Sequence, residues 1–181
     1  MNQFKTAIKI FLFMTVLTGI IYPLFITLVA QLTMPNLSNG SLVQREYQTI
    51  GSLLIAQNTT DDRYFWPRPS AIDYDPIKPS GGSNLGPTSQ KLKDAVEERK
   101  KKIGNDAPSE LLYASGSGLD PHISLETAYF QIPRVAKTRS INEDELREFI
   151  DLQSEGKQIG VLGPRYVNVL LLNQALDDRR R

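Results

Sequence analysis

The hydrophobic pattern divides the chain into two unlike parts. Residues 10–32 read IFLFMTVLTGIIYPLFITLVAQL, a run without a charged side chain whose one strongly polar group, Gln31, stands at its far end. As a helix rising about 1.5 Å per residue it reaches roughly 34 Å, enough to cross the hydrocarbon core of a bilayer. Pro23 removes one backbone donor, a loss that a bilayer helix tolerates with a kink. A cleaved signal peptide would have an apolar core of about 7–15 residues and a small-x-small cleavage site. This run is longer, and LVA at 28–30 places Leu28 where a small residue is required, so it reads as a retained anchor. Thr15 and Gly19 lie four residues apart, a small-xxx-small pair that lets a neighbouring helix approach closely, and they are the candidate docking positions within the membrane.

Beyond Leu32 the pattern shortens. MPNLSNGS (34–41) has the composition of a connector, and TIGSLLIAQ (49–57) is an apolar run between turn residues that predicts a strand, with a helical turn as the alternative. Residues 64–89 carry five prolines and many turn formers, so regular structure should be sparse. Tyr64, Phe65, Trp66 and Tyr74 nevertheless predict an ordered loop pinned by its rings, since disordered linkers are poor in aromatics. Helical spacing then resumes. Thr88 or Ser89 caps a helix through Ile103, stopped by Gly104, with Leu92, Ala95, Val96 and Ile103 on its buried face. Ser124 caps a second helix that Pro133 should kink or split. Asn142 and Glu145 have capping-box spacing for a helix starting near Glu143, with Leu146, Phe149, Ile150 and Leu152 on its apolar side. The last pattern, 163–177, passes from a turn through a strand-like YVNV into a helix. This order predicts an α+β protein: a single N-terminal transmembrane helix within residues 1–33, then one small mixed domain over 34–181.

Charge orients the anchor. Lys5 and Lys9 precede the apolar run, and the next basic residue is Arg45. By the positive-inside rule the N-terminus is cytoplasmic and the domain extracytoplasmic. Net charge is only +1, without the compact basic patch that a nucleic-acid partner requires. Lys100, Lys101 and Lys102 read as a solvated helix end, favourable at the negative pole of the dipole. The absence of cysteine removes thiol catalysis, thiolate metal sites and disulfides. A single helix without an intramembrane carboxylate cannot enclose an ion path, so any transport role requires other subunits.

Candidate chemistry concentrates in ASGSGLDPHIS, residues 114–124. Ser117, Asp120 and the only histidine, His122, would have to converge within one loop to form a triad, and the G-x-S-x-G elbow is missing. One imidazole without a spaced partner is no metal motif. No catalytic or metal-binding residue is assigned. Gly116 and Gly118, and the second glycine segment SGGSN (80–84), suit a tight turn or an anion cradle, without a P-loop lysine at either.

Segments along nearly the whole chain also carry a resemblance: TGIIYPL in the anchor, then GSLLIAQ, YFWPRPSA, SGGSNLGPTS, ASGSGLDPHIS, AYFQIPRVAKTR and VNVLLLNQALD. In this order they resemble the C-subunit family of bacterial Kdp potassium-transporting ATPases, with Ala56 replacing a glycine usual in GSLLIAQ. The resemblance implies a non-catalytic accessory subunit in the inner membrane. Its implied partners are an ATP-hydrolysing subunit, a channel-like potassium-binding subunit and a small membrane subunit. It further implies a catalytic chaperone that raises the ATP affinity of the hydrolysing subunit. No cofactor is held tightly, and ATP would enter only in a transient ternary complex. Gln131 could then hydrogen-bond an adenine edge, with Ser80, Gly81 and Gly82 beside the phosphates, although the charge-derived orientation puts these residues opposite cytoplasmic ATP. Tyr64, Phe65, Trp66 and Arg68 are the candidate docking surface for the larger subunits, or alternatively pack within the domain itself. A membrane-tethered ligand-binding or sensory module is the competing class.

Overall fold

A computed structural model of the chain describes residues 2–45, 47–157 and 160–179. The chain forms two compact units, Met1–Leu42 and Val43–Arg181. The connector expected to open the second unit therefore belongs with the anchor.

The first unit is helical. Helix α1 (Asn2–Val16) runs through a π-helical turn, Leu17–Ile21, into α2 (Tyr22–Thr33), and a short α3 (Pro35–Ser38) follows. The span Gln3–Thr33 is long and apolar enough to cross a membrane, with a mean hydropathy of 2.2 in its best window. The π turn answers the proline. Pro23 has no N–H to give, and its ring would press on the carbonyl one turn back. The wider turn immediately before it, closed by the Tyr22 N–H on the Leu17 carbonyl, relieves that crowding. The hydroxyls of Thr15, Thr18, Thr27 and Thr33 each donate to the carbonyl four residues earlier. Polar side chains thereby close on the helix itself, as hydrocarbon demands.

Strand β1 (Leu42–Arg45) starts at the last residue of the first unit and pairs with β2 (Gln48–Ser52). The strand expected over 49–57 ends at Ser52, because the Ser52 hydroxyl accepts the Leu54 N–H and turns the chain. The segment up to residue 89 contains no helix or strand. Helix α4 (Gln90–Ile103) starts at the Ser89 cap, whose hydroxyl accepts the Leu92 N–H, and stops at Gly104 with φ +123°. Its apolar side is only half-buried. After α5 (Ser109–Leu112), strand β3 (His122–Ser124) pairs antiparallel with β4 (Tyr166–Asn168), placing Ile123 opposite Val167. The Ser124 hydroxyl caps α6 (Leu125–Phe130), and Pro133 falls in the first turn of a separate α7 (Ile132–Arg139), so the kinked pattern resolves into two helices. Asn142 caps α8 (Glu143–Gln153) and Asn168 caps α9 (Val169–Asp178).

The core lies where α6, α7, α8 and α9 meet β3 and β4. Val135, Leu146, Ile150, Val167, Leu172 and Leu176 are fully buried there, together with Phe65 from the irregular segment. Leu152, expected on the apolar side of α8, is 76% exposed at the helix end.

The two glycine segments meet. The Gly81 N–H and the Ser80 hydroxyl both donate to the Ser117 carbonyl at 2.9 Å. Gly118 has φ +69°, and a Cβ there would stand 2.8 Å from the Gly81 carbonyl oxygen and 2.9 Å from Ile72. Gly116 has open space around it. Gly118→Ala should therefore cost about 1–3 kcal/mol of stability, whereas Gly116→Ala should stay within about 0.5 kcal/mol. Thermal unfolding of the two variants side by side measures the contrast.

Candidate functional site

The irregular segment after residue 60 lies against α7 and α9 with its backbone turned inward, and Phe65 and Trp66 are buried. Buried carbonyls need donors, yet Pro67 and Pro69 supply none to a ladder and the local chain is not a strand. Side chains fill the role. The Asp61 carbonyl accepts from the Trp66 indole N–H at 3.1 Å, the Asp62 carbonyl from Arg134 at 2.9 Å, and the Arg63 carbonyl from Arg139 at 2.7 Å. The Tyr64 carbonyl accepts from Arg134 at 3.0 Å. Asn173 grips Phe65 at both ends, its Oδ1 accepting the Phe65 N–H at 2.8 Å and its Nδ2 donating to the Phe65 carbonyl at 2.9 Å. Gln131 grips Trp66 likewise, at 2.8 and 3.2 Å. Residues 61–66 thus each place their carbonyl on a side-chain donor.

Cations stack on the rings. The Arg134 guanidinium lies 3.8 Å from the Trp66 ring centre, with the Lys102 ammonium 4.9 Å from it. Burial lowers the Arg134 pKa to about 10, against the opposing pull of Asp62 and Asp61. Arg139 packs 4.8 Å from the Tyr64 ring centre and donates to Asp177 Oδ1 at 2.7 Å. Asp177 Oδ2 accepts from the Tyr64 hydroxyl at 3.0 Å and from Arg45 at 3.2 Å. Burial by itself would raise the Asp177 pKa. The hydrogen bonds from Arg139, Tyr64 and Arg45 outweigh it and hold the carboxyl below its usual range. Arg68 carries the network onward to Asp120 at 3.0 Å, and Asp120 Oδ1 accepts the His122 backbone N–H. Tyr74, its pKa pushed up to about 12 by burial, donates to the Arg68 carbonyl. Glu110 accepts from the Ser124 N–H and from the hydroxyls of Ser124 and Thr127, fixing the start of α6.

The motif segments of the second unit meet in this network. Even GSLLIAQ joins it, through the Ala56 N–H on the Leu119 carbonyl and the Asn168 amide on the Leu53 carbonyl. The match with known proteins is as extensive. The family model KdpC (K+-transporting ATPase, c chain) covers residues 4–178. The chain belongs to the KdpC family. A protein described as potassium-transporting ATPase KdpC subunit from Sorangium cellulosum is 44% identical over 185 residues, spanning 97% of each chain. Namesakes from Geobacter metallireducens, 45% identical over 186 residues and 98% of each chain, and from Geotalea uraniireducens, 43% over 190 residues and the full length of both, match equally well.

In this KdpC-family chain the residues singled out from sequence have the following surroundings. Phe65 and Trp66, expected as docking rings, are only 0% and 9% exposed: they pack inside the unit because its own helices need those rings as anchors. Tyr64 and Arg68 are half-buried and turn their polar ends inward, to Asp177 and Asp120. Gln131 is 2% exposed with both ends of its amide engaged on Trp66, so an adenine edge would have to displace the clamp. The Gly81 amide is spent on Ser117, and a Cβ at Gly82 would stand 3.4 Å from the Gly116 carbonyl oxygen, so the two glycine loops brace each other. Thr15 closes on Phe11, and Gly19 lies in the π turn with open space around it. The Ser117 hydroxyl receives the Leu119 N–H, while His122 stacks edge-on against Tyr166 at 4.7 Å. Among the described residues no group of three His, Cys, Asp or Glu is placed to hold a metal ion. Sequence reasoning missed Asn173, Arg134 and Arg139 as individual residues; they stand within the segments AYFQIPRVAKTR and VNVLLLNQALD, and no local spacing points them at carbonyls 70 or more residues away.

Gln131→Ala strands the Trp66 N–H and carbonyl together and should cost about 2–4 kcal/mol in chemical denaturation, with Trp66→Ala at least as damaging. Asp177 adds a pH signature. Its folded pKa lies below the unfolded value of about 3.9, so its contribution is full above roughly pH 4 and is lost as pH falls through the folded pKa. Unfolding midpoints across acid pH should fall more shallowly in Asp177→Asn than in the parent chain.

Proposed function

We propose that this chain is the accessory C subunit of a K+-transporting ATPase, assembling and stabilising the complex without hydrolysing ATP itself. Membership of the KdpC family supports the class, and relatives nearly half identical over their whole length carry the name of a potassium-transporting ATPase subunit. The observation that carries the reading is the helix Gln3–Thr33, an apolar rod without a buried residue in this chain. Such a surface needs lipid and neighbouring helices to cover it. Gly19, with free space around it on that rod, suits close approach of a partner helix. The partners are the ATP-hydrolysing subunit, the channel-like potassium-binding subunit and the small membrane subunit.

The N-terminal lysines hold the N-terminus in the cytoplasm and put the folded unit outside, in the inner membrane. Any rise in ATP affinity of the hydrolysing subunit then comes through conformational bias transmitted by the membrane contacts. Direct nucleotide contact at Gln131 has no part in this reading, since its amide is committed to Trp66.

Affinity capture of the tagged full chain from native membranes should recover the larger transport subunits in fixed ratio. Recovery of the chain alone would refute the assignment. A topology reporter fused after Arg181 should be active outside the cytoplasm; cytoplasmic activity would reverse the orientation.

A further inference from the structure

A cleft of about 490 Å³ is lined by residues of α9, by residues 55–61 and by Tyr64. That volume lies in the range of small-molecule sites. Ile50, Ile55 and Leu170 give it an aliphatic floor. Its rim is amide and hydroxyl: Asn58, Thr59, Thr60 and Gln174 line it, and their side chains make no hydrogen bond to the other described residues. The charged groups at the rim are already paired. Asp61 is held by Arg63 at 2.7 Å, Asp177 by Arg45 and Arg139, and Arg45 also reaches Asp178 at 3.7 Å.

These features select a ligand class. An ion would need an uncommitted opposite charge, and the charges here are neutralised in place. A wholly apolar ligand would bury the rim amides without partners, which is costly. A neutral molecule bearing many hydroxyls satisfies both surfaces. Each amide offers a donor and an acceptor to neighbouring hydroxyls, and the C–H face of the ligand covers the aliphatic floor. We propose that this cleft binds a neutral polyhydroxylated ligand of about disaccharide size, with Asn58 and Gln174, lining amides that bond to no other described residue, as the recognition pair.

The test uses the full chain in lipid nanodiscs, free of sugar-based detergent. Maltose and trehalose are titrated separately, and saturation transfer from protein to sugar is read by NMR. At least one sugar should show saturable transfer. Asn58→Ala and Gln174→Ala should each raise its half-saturating concentration about fivefold, the expected loss of one hydrogen bond. Both variants should keep the parent unfolding midpoint, because neither side chain bonds elsewhere among the described residues. Ser83→Ala, outside the cleft, should bind as the parent does. Absence of saturable transfer with both sugars overturns the proposal, and so does transfer that survives the Asn58→Ala/Gln174→Ala pair. Protection of residues 57–60 from hydrogen exchange only when other subunits are present, without any sugar effect, would also overturn it and assign the cleft to a polypeptide.

Discussion

The extramembrane unit depends on how a loop without regular structure keeps its backbone polar groups satisfied while two of its rings are buried. Burying Phe65 and Trp66 draws their backbone out of water, so their carbonyls need donors, and the more exposed carbonyls from Asp61 to Tyr64 that lead into them are held by side-chain donors too. Four side chains, Gln131 at the junction of α6 and α7, Arg134 and Arg139 of α7 and Asn173 of α9, meet all but one of these demands, and the Trp66 indole meets the other. Asn173 and Gln131 act on successive residues much as a neighbouring strand would, one rung each. Arginine serves here because one guanidinium carries several donors: Arg134 Nη1 donates to the Asp62 and Tyr64 carbonyls while Nη2 donates to Gln131 Oε1.

The apolar helix Gln3–Thr33 solves the same problem differently. Its backbone bonds close within the helix, its threonine hydroxyls fold back on their own carbonyls, and the demand of Pro23 is met by widening one turn. No tertiary partner is needed for backbone satisfaction, so the rod keeps its side chains free for lipid or other subunits. In the extramembrane unit the side chains are the backbone's partners, and few of the motif residues remain free for anything else. That difference leaves the apolar helix with free side chains and the second unit with a braced backbone. The rigidity reaches the glycine loops, where the Gly118 backbone approaches Gly81 too closely for any side chain.

Local physics made much of this legible along the sequence. The uninterrupted apolar run announces a span, since few other structures tolerate 23 residues without a charge. The caps at Ser89, Ser124 and Asn142 set helix starts through bonds only two or three residues long, and Pro133 set a break for the same short-range reason. The strand expected through Gln57 failed on an equally local interaction, the Ser52 hydroxyl turning the chain, which competes with strand pairing at a level that apolar spacing does not register.

The tertiary structure alone decided what the aromatic and glycine motifs do. A ring in a proline-rich loop can equally anchor a partner or its own fold, and only the position of α7 and α9 chooses. Gln131 lies 65 residues from Trp66, and Asn173 lies 108 residues from Phe65. The sequence by itself determined the long apolar helix, the capped helix starts and the family. Whether a polar side chain faces water or a distant carbonyl depends on contacts that form only when the chain closes, and no local pattern encodes that choice.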